Sequence, residues 1–275
     1  MIKNSYKKSH LIILPMLSLI IAAFGVTGLS FLQQTAQAQD EVSIYLPLTL
    51  NKVFIPPPES IMIFTPGNSS TVTNPIYISG EADPTFEQNL VIRVIDANGD
   101  EIIVEPTIIQ ADLGERGLYE LELELDLEQE QAIFIQVYDI SARDGGILHL
   151  SSVAVTFSPD GPEDIIVRDP YREVINIIQP QMGATIYGGV VHVHGFGLAS
   201  FEQTLVVEVQ DENGDVIAIE PVTVDAPDWG YPGFFQTDIE FTVTHSQPGR
   251  IVVRDISPAH GDNVHLNSVE VTLQP

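Results

Sequence analysis

The stretch FEQNLVIRVIDANGDEIIVEP at residues 86–106 decides the fold, because it returns at residues 201–221 as FEQTLVVEVQDENGDVIAIEP. The two stretches are identical at 13 of 21 aligned positions. In both, apolar residues alternate with other residues, stop at an Asp-x-Asn-Gly-Asp segment and then resume. An Asn-Gly pair between two such runs is typical of a tight β-hairpin. The repeat therefore predicts two copies of one β-rich domain.

The repeat extends beyond this hairpin towards both ends of the chain. With one residue inserted in the second copy, between Ala226 and Gly233, His149-Leu150 aligns with His265-Leu266. Each copy is about 100 residues long, a size at which a domain can fold alone. We predict a signal peptide at 1–38, an extended Pro-rich spacer at 39–60, domain 1 at 61–159, a polar Pro/Gly linker at 160–172 and domain 2 at 173–275.

Strand patterns fill both copies. Leu121, Leu123 and Leu125 alternate strictly with Glu122 and Glu124, which predicts a strand with one face buried and the other in water. Neither copy shows helical periodicity. About seven short strands in a hundred residues favour a β-sandwich.

The N-terminus has the order of a secretory signal. Lys3, Lys7 and Lys8 precede an apolar run from Leu11 to Leu32, and Ala36-Gln37-Ala38 provides small residues for a signal peptidase. We therefore expect a secreted or cell-surface protein. The alternative is an uncleaved anchor, because this apolar run is long enough to span a bilayer.

Composition narrows the classes of partner. The formal net charge is −27, so the chain repels nucleic acid and anionic lipid, and we expect membrane association only if the signal segment is retained. The chain has no cysteine, so its stability must come from hydrophobic cores rather than disulfides. An envelope protein or a glycan is the expected partner.

Short motifs recur at matching positions of the two copies: Pro66 and Pro180, Ile78-Ser79-Gly80 and Val193-His194-Gly195, Phe86-Glu87 and Phe201-Glu202, and Ser141 to Gly145, which becomes Ser257-Pro258-Ala259-His260-Gly261. With these motifs the sequence resembles the immunoglobulin-like domain of bacterial spore germination proteins. The resemblance implies an envelope or spore-coat accessory module without enzymatic activity. The predicted fold class is all-β, with two tandem immunoglobulin-like β-sandwich domains after the signal peptide.

Two groups of residues are candidate metal ligands. Oxygen side chains alternate in each hairpin as at the start of an EF-hand loop, although the distal Glu is missing, because Thr107 and Val222 stand there. We expect no cofactor, with calcium at the hairpins as the alternative. A pair of imidazoles two residues apart on one strand is a second candidate, for zinc. The candidate ligands are Asp96, Asn98, Asp100, Asp211, Asn213, Asp215, His192 and His194.

Three further features bear on function. Trp229 and Tyr231 occur only in the second copy, and aromatic rings on a loop can stack on sugars or dock a partner. His149 and His265 recur before the last strand of each copy, which indicates a shared structural hydrogen bond. The recurring Phe86 is expected in the core.

No motif of a hydrolase, a metalloprotease or a phosphate loop occurs, and no catalytic residue is predicted. The first hypothesis is a non-enzymatic extracytoplasmic binding or structural module of the cell envelope. The first alternative is a carbohydrate- or peptide-binding module that uses the Trp229 loop. The second alternative is a metal-dependent hydrolase.

Signal-peptide cleavage is directly measurable. Because Ala36-Gln37-Ala38 meets the requirement of the peptidase, the mature protein should begin at Gln39. Mass spectrometry of the protein isolated from its host would show this N-terminus, whereas a chain that retains residues 1–38 would establish the anchor.

Overall fold

The computed structural model describes residues 54–275, so the predicted signal peptide and most of the spacer lie outside the described residues. A single 3-10 turn, Phe86–Gln88, interrupts an otherwise β structure in the described range. No helix there has the length and hydropathy of a membrane span. The first copy contains β1 (Ile61–Thr65), β2 (Thr71–Val72), β3 (Ile76–Ala82), β4 (Asn89–Asp96), β5 (Glu101–Ile108), β6 (Gly117–Leu123), β7 (Gln131–Ile140) and β8 (Ile147–Phe157).

The second copy repeats this element order. Its strands are β9 (Ile175–Gln179), β10 (Thr185–Ile186), β11 (Val190–Gly197), β12 (Thr204–Gln210), β13 (Val216–Thr223), β14 (Gly233–Glu240), β15 (Gln247–Ile256) and β16 (Asn263–Leu273). The all-β prediction and the tandem repeat are confirmed.

Each copy is a sandwich of two sheets around its own core. A three-stranded sheet, β1-β3-β6 in the first copy and β9-β11-β14 in the second, forms one layer. Alternation explains the packing: along β3, Ile76 and Ile78 are buried while Tyr77 between them is exposed. The two cores share no residue, and each has about as many large aliphatic side chains as the other.

The two sandwiches share their second layer. β8 pairs antiparallel with β16, so the two main sheets join into one ten-stranded sheet. Eight of its strands follow the order β13-β12-β15-β16-β8-β7-β4-β5, and the short strands β2 and β10 pair beside this path with β8 and β16. Leu150 lies opposite Leu266, its own counterpart in the repeat. His149 lies opposite Asn267, and Ser151 lies opposite His265. Asn267 is the counterpart of Ser151 and His265 is the counterpart of His149, so these two pairings are equivalent. A local two-fold axis therefore passes between Leu150 and Leu266.

Side chains cross the junction on both sides of this axis. Ser152 Oγ donates to the carbonyl oxygen of Val264 at 2.6 Å, and its counterpart Ser268 Oγ donates to the carbonyl oxygen of Leu148 at 2.7 Å. Leu150, Val252 and Leu266 form a small apolar cluster of their own at the junction. The described part of the chain is therefore held together by a built interface between its domains.

The recurring 141–146 loop contributes a buried ion pair to the interface. Asp144 accepts two hydrogen bonds of 2.9 Å from Nη2 of Arg250, which is fully buried. Burial alone would raise the pKa of Asp144, but the hydrogen bonds and charge of Arg250 hold it well below its usual range. In the second copy the counterpart of Asp144 is His260, which packs on Phe134, the counterpart of Arg250, with ring centroids 4.5 Å apart.

The linker is bound along most of its length to domain 1. The amide of Asp164 donates to Thr71, and the amide of Arg168 donates to Phe64. Further along, residues 57–59 and 171–173 pair with each other, with an antiparallel bridge between Pro58 and Arg172. The end of the predicted spacer and the end of the predicted linker therefore form a second strand-like pair on the local two-fold axis.

The Asp144–Arg250 pair predicts a large difference between two neighbouring substitutions. Asp144→Ala leaves the Arg250 guanidinium buried without its carboxylate, which should cost about 3–5 kcal/mol of unfolding free energy. Arg143→Ala removes a partly exposed partner of the same carboxylate and should cost about 0–1 kcal/mol. Because the pKa of Asp144 is depressed, its contribution is complete at neutral pH and is lost as pH falls through the folded-state pKa.

Denaturant unfolding of both variants at pH 7 measures the two values. Equal losses for Asp144→Ala and Arg143→Ala would contradict the role assigned to the buried pair.

Candidate functional site at the domain junction

Four titratable side chains meet at the local two-fold axis. Glu59 and Glu173 come from the paired segments that precede β1 and β9, and His149 and His265 come from β8 and β16. The exposed fractions are 0% for Glu59, 4% for Glu173, 7% for His149 and 4% for His265. We call these four residues the junction cluster. Two strand pairings assemble it: β8 with β16 places the histidines, and residues 57–59 with 171–173 place the glutamates.

The four donor atoms face one another. Nε2 of His149 lies 3.0 Å from Oε1 of Glu59 and 2.9 Å from Oε1 of Glu173. Nε2 of His265 lies 3.7 Å and 3.5 Å from the same two oxygens. All four atoms lie within 4.8 Å of one another. The imidazole rings are perpendicular, with centroids 5.2 Å apart.

Hydrogen bonds exchanged between the copies fix both carboxylates. Oε2 of Glu59 accepts the amide of Val174 at 2.9 Å, and Oε2 of Glu173 accepts the amide of Ser60 at 3.1 Å. The Oε1 atoms accept from matching residues as well: Ser151 Oγ donates to Glu59 at 3.2 Å. Asn267, the counterpart of Ser151, donates through Nδ2 to Oε1 of Glu173 at 3.1 Å. Each Oε1 therefore points to the centre of the cluster.

The electrostatics of the cluster follow from burial and proximity. Burial disfavours the imidazolium of His149, but the charges and hydrogen bonds of Glu173 and Glu59 outweigh this and raise the pKa of His149 to about 10. Burial likewise opposes ionisation of Glu173, but His149 and His265 lower the pKa of its carboxyl group below the usual range. Asp139 and Asp255 lie opposite the two histidines in the sheet register, and burial raises the pKa of Asp139 to about 6.

The junction cluster supplies two nitrogen and two oxygen donors. Each histidine also borders a surface cleft: Asp139 lines one cleft with His149, and Asp255 lines the other with His265. Serine is present beside the cluster, but Ser151 Oγ donates to a carboxylate rather than to an imidazole. The arrangement therefore suits the binding of a cation or the sharing of protons more than nucleophilic catalysis.

Only half of the junction cluster was indicated by the sequence. The recurrence of His149 and His265 predicted a shared structural hydrogen bond, and His149 does bond to Glu173 at 2.9 Å. The predicted domain bounds place Glu59 in the spacer, outside domain 1. A signal was present, because Glu59 and Glu173 each lie seven residues before the matching prolines Pro66 and Pro180.

In the two hairpins that are candidate calcium sites, the first aspartate of each turn accepts hydrogen bonds from backbone amides of the same turn. Oδ1 of Asp96 accepts the amides of Asn98 at 2.8 Å and Asp100 at 2.9 Å, and Asp211 does the same for Asn213 and Asp215. These bonds explain the Asp-x-Asn-Gly-Asp pattern as turn chemistry. Calcium binding at the hairpins stays a prediction that this geometry does not favour.

His192 and His194 lie on one face of β11 but have different surroundings. His192 is exposed and its Nδ1 lies 2.7 Å from Oδ1 of Asp238 on the neighbouring strand. His194 is half-buried and stacks on Phe234, with ring centroids 5.6 Å apart. Val193 between them is fully buried. Among residues 54–275, the pair is not part of a group of three or more histidine, aspartate or glutamate donors that could hold a metal ion.

The Trp229 loop is exposed and anchored at its base. Trp229 is 69% exposed and Tyr231 is 57% exposed. Nε2 of Gln203 donates to the carbonyl oxygen of Asp228 at 3.0 Å, as Gln88 donates to Asp112 in the first copy. Because Ala226 and Asp228 occupy the turn positions of Ala111 and Asp112, the inserted residue is Pro227.

The expectation that Phe86 fills the core is wrong, because its ring is 61% exposed. Two consecutive residues with positive φ, Glu87 (55°) and Gln88 (60°), turn the chain so that Gln88 points inward instead. Gln88 is 3% exposed, and its Nε2 donates to the carbonyl oxygens of Asp112 at 3.0 Å and Glu115 at 2.9 Å in the facing loop. The recurring Phe-Glu-Gln motif therefore anchors a loop, and Phe201 leaves a third exposed aromatic ring on the motif that anchors the Trp229 loop.

The comparison with protein families agrees with this architecture. The family described as the immunoglobulin-like domain of bacterial spore germination matches residues 60–146 and 174–262. The chain belongs to this family. Its two spore-germination immunoglobulin-like domains meet at the junction cluster, and Glu59 and Glu173 each stand just before a matched segment. Curated proteins provide no match to the chain.

Solved structures resemble these immunoglobulin-like domains only distantly. A chimeric titin tandem is 13% identical, with 78% of this chain and 98% of that chain covered and a TM-score of 0.22. The group B Streptococcus pullulanase SAP bound to maltotetraose is 13% identical, with coverage of 74% and 23% and a TM-score of 0.19. An E. coli CFA/I adhesin is 9% identical, with coverage of 78% and 83% and a TM-score of 0.19. At these scores the likeness carries no inference about this chain.

The exposure of Trp229 predicts a small effect of its removal on stability. Trp229→Ala should change the unfolding free energy by less than about 0.5 kcal/mol, because the ring is on the surface. Leu113→Ala is the matched control, since Leu113 is the counterpart of Trp229 and is 79% exposed. Thermal and denaturant unfolding measure both. A loss of about 3–5 kcal/mol, the value for a buried large side chain, would show that the ring packs on the domain.

Proposed function

We propose that this chain is a non-catalytic extracytoplasmic module of the cell envelope, in which the two immunoglobulin-like domains act as one rigid unit. The observation that carries the proposal is the junction itself: a continuous sheet across β8 and β16, closed by four buried titratable groups. Domains that move independently of each other need no such interface, because a linker is enough to connect them. A built junction instead fixes the positions of loops on both domains.

The chemistry of the chain supports a structural or binding role. The family is one of immunoglobulin-like domains, and the sequence carries no motif of a known hydrolase. The leader predicts export, which would deliver the acidic domains to the envelope or the medium. The net charge of the whole chain, −27, favours a basic envelope protein or a neutral glycan as partner over anionic polymers.

A second candidate function is recognition of a carbohydrate or peptide by the Trp229 loop. Trp229, Tyr231 and Phe201 are exposed aromatic residues on adjoining segments, which the Gln203–Asp228 hydrogen bond ties together. Aromatic rings are enriched at binding sites because they offer a large contact area at low entropic cost. The first copy has Leu113 and Glu115 at the positions of Trp229 and Tyr231, so the loop is specific to one end of the molecule.

Fractionation and binding together test the proposal. The tagged chain should appear in the envelope fraction or the medium, and the purified protein should bind isolated cell-wall glycan or envelope protein. A chain confined to the cytoplasm would overturn the extracytoplasmic role.

The same binding assay separates the two candidates. If the Trp229 loop makes the contact, Trp229→Ala should reduce retention on the wall fraction at least tenfold, the effect of losing about 1.4 kcal/mol, whereas Leu113→Ala should not. Equal retention of both variants would reject the loop as the binding surface.

A further inference from the structure

We propose that the junction cluster is a structural metal site, in which Glu59, His149, Glu173 and His265 bind one zinc ion between the two domains. Each domain supplies one imidazole nitrogen, and the segment before each domain supplies one carboxylate oxygen. The ion would close the interface that β8 and β16 begin.

The spacing of the donor atoms fits a tetrahedral ion. Ligand atoms about 2.0–2.1 Å from a tetrahedral zinc lie about 3.3 Å from one another. The four distances between Nε2 and Oε1 atoms are 2.9, 3.0, 3.5 and 3.7 Å, which bracket this value. The Nε2–Nε2 and Oε1–Oε1 pairs lie within 4.8 Å, so closing these two pairs around the ion would bring all four donors into coordination distance.

An orphaned donor points to a ligand in the cluster. His265 is 4% exposed, and its Nε2 has no hydrogen-bond partner among residues 54–275. It nonetheless faces Oε1 of Glu173 and Oε1 of Glu59, beyond good hydrogen-bonding distance from both. A buried ring nitrogen without a partner carries a desolvation cost that a bound cation would remove.

Charge balance gives a second reason for a cation. Two buried carboxyl groups share the cluster, and any negative charge on them requires compensation. One protonated imidazole would leave the cluster with a net charge of −1, and two would place like charges on rings whose centroids are 5.2 Å apart. A divalent ion would displace the proton from Nε2 of His149, which lies 3.0 and 2.9 Å from the two carboxylates, and two neutral imidazoles with two carboxylates would then bring the net charge to zero.

The donor set favours zinc over calcium or magnesium. Calcium takes six to eight oxygen ligands, and magnesium requires octahedral oxygen coordination. The two imidazoles offered here suit zinc, which binds nitrogen and carboxylate donors at four-coordinate sites. Four protein donors fill that coordination, so the site would be structural and would leave no position for the water of a metal-dependent hydrolase.

The carboxylates are held for this role by the surrounding protein. The amides of Ser60 and Val174 occupy both Oε2 atoms and leave each Oε1 directed inward. Ser151 and Asn267 add a hydrogen bond to each Oε1 from the side. Such outer partners orient ligands at protein metal sites.

Metal content tests the proposal on the intact protein. Protein purified from cells grown with added zinc should contain one zinc ion per chain by elemental analysis. After removal of the metal with a chelator, Zn²⁺ at a hundredfold excess over its dissociation constant should raise Tm by about 5–10 °C, and Mg²⁺ should leave Tm unchanged. A metal-free protein whose Tm does not respond to Zn²⁺ would overturn the proposal.

Variants locate the ion. His265→Ala should lose the zinc, whereas the double variant His192→Ala/His194→Ala removes the exposed pair on β11 and should retain it. Zinc that stays with His265→Ala, or that disappears with the β11 double variant, would place the ion elsewhere and reject the site.

Cobalt provides a readout on the unaltered protein, in case the His265→Ala variant does not fold. Co²⁺ added to the metal-free protein should give the strong visible absorption of a tetrahedral ion, and zinc should displace it at one equivalent. Weak octahedral-type absorption, or none, would contradict a four-coordinate site.

Discussion

The antiparallel pairing of β8 with β16 is the constraint on which the rest of the molecule depends. It joins the last strands of the two copies about a local two-fold axis, so that every residue near the axis meets its own counterpart or a neighbour of it. Histidines one position from the axis are brought together, and so are the segments that lead into β1 and β9. The junction cluster is a geometric consequence of this pairing together with the pairing of residues 57–59 and 171–173.

The two copies have diverged most informatively where they touch. A perfect two-fold would place identical pairs on both sides, but one side has Asp144 with Arg250 and the other has His260 with Phe134. An ion pair on one side and an aromatic contact on the other thus join the two domains at equivalent positions. The Asp of the Ser-Ala-Arg-Asp-Gly motif in the first copy is thus replaced in the second by His260, which packs on Phe134.

Much of the fold could be predicted from the sequence because its signals are local. Alternation, the Asn-Gly turns and the 13 identical positions of the repeat lie within short segments, and the structure has the strands there. The junction could not be predicted in this way, since Glu59 and Glu173 are 114 residues apart and meet only through pairing between copies. The prediction of a buried Phe86 is wrong because apolar character alone favours burial, whereas the left-handed backbone at Glu87 and Gln88 turns Gln88 inward.

We infer that the two domains form one rigid body through the shared sheet. Spin labels on Val104→Cys and Ile219→Cys would report this directly, since both residues are exposed on the edge strands β5 and β13 and the chain has no other cysteine. Seven strand spacings of about 4.8 Å place these positions roughly 35 Å apart. Pulsed electron paramagnetic resonance should give a single narrow distance distribution near that value. A broad distribution that extends to much longer distances would contradict the account.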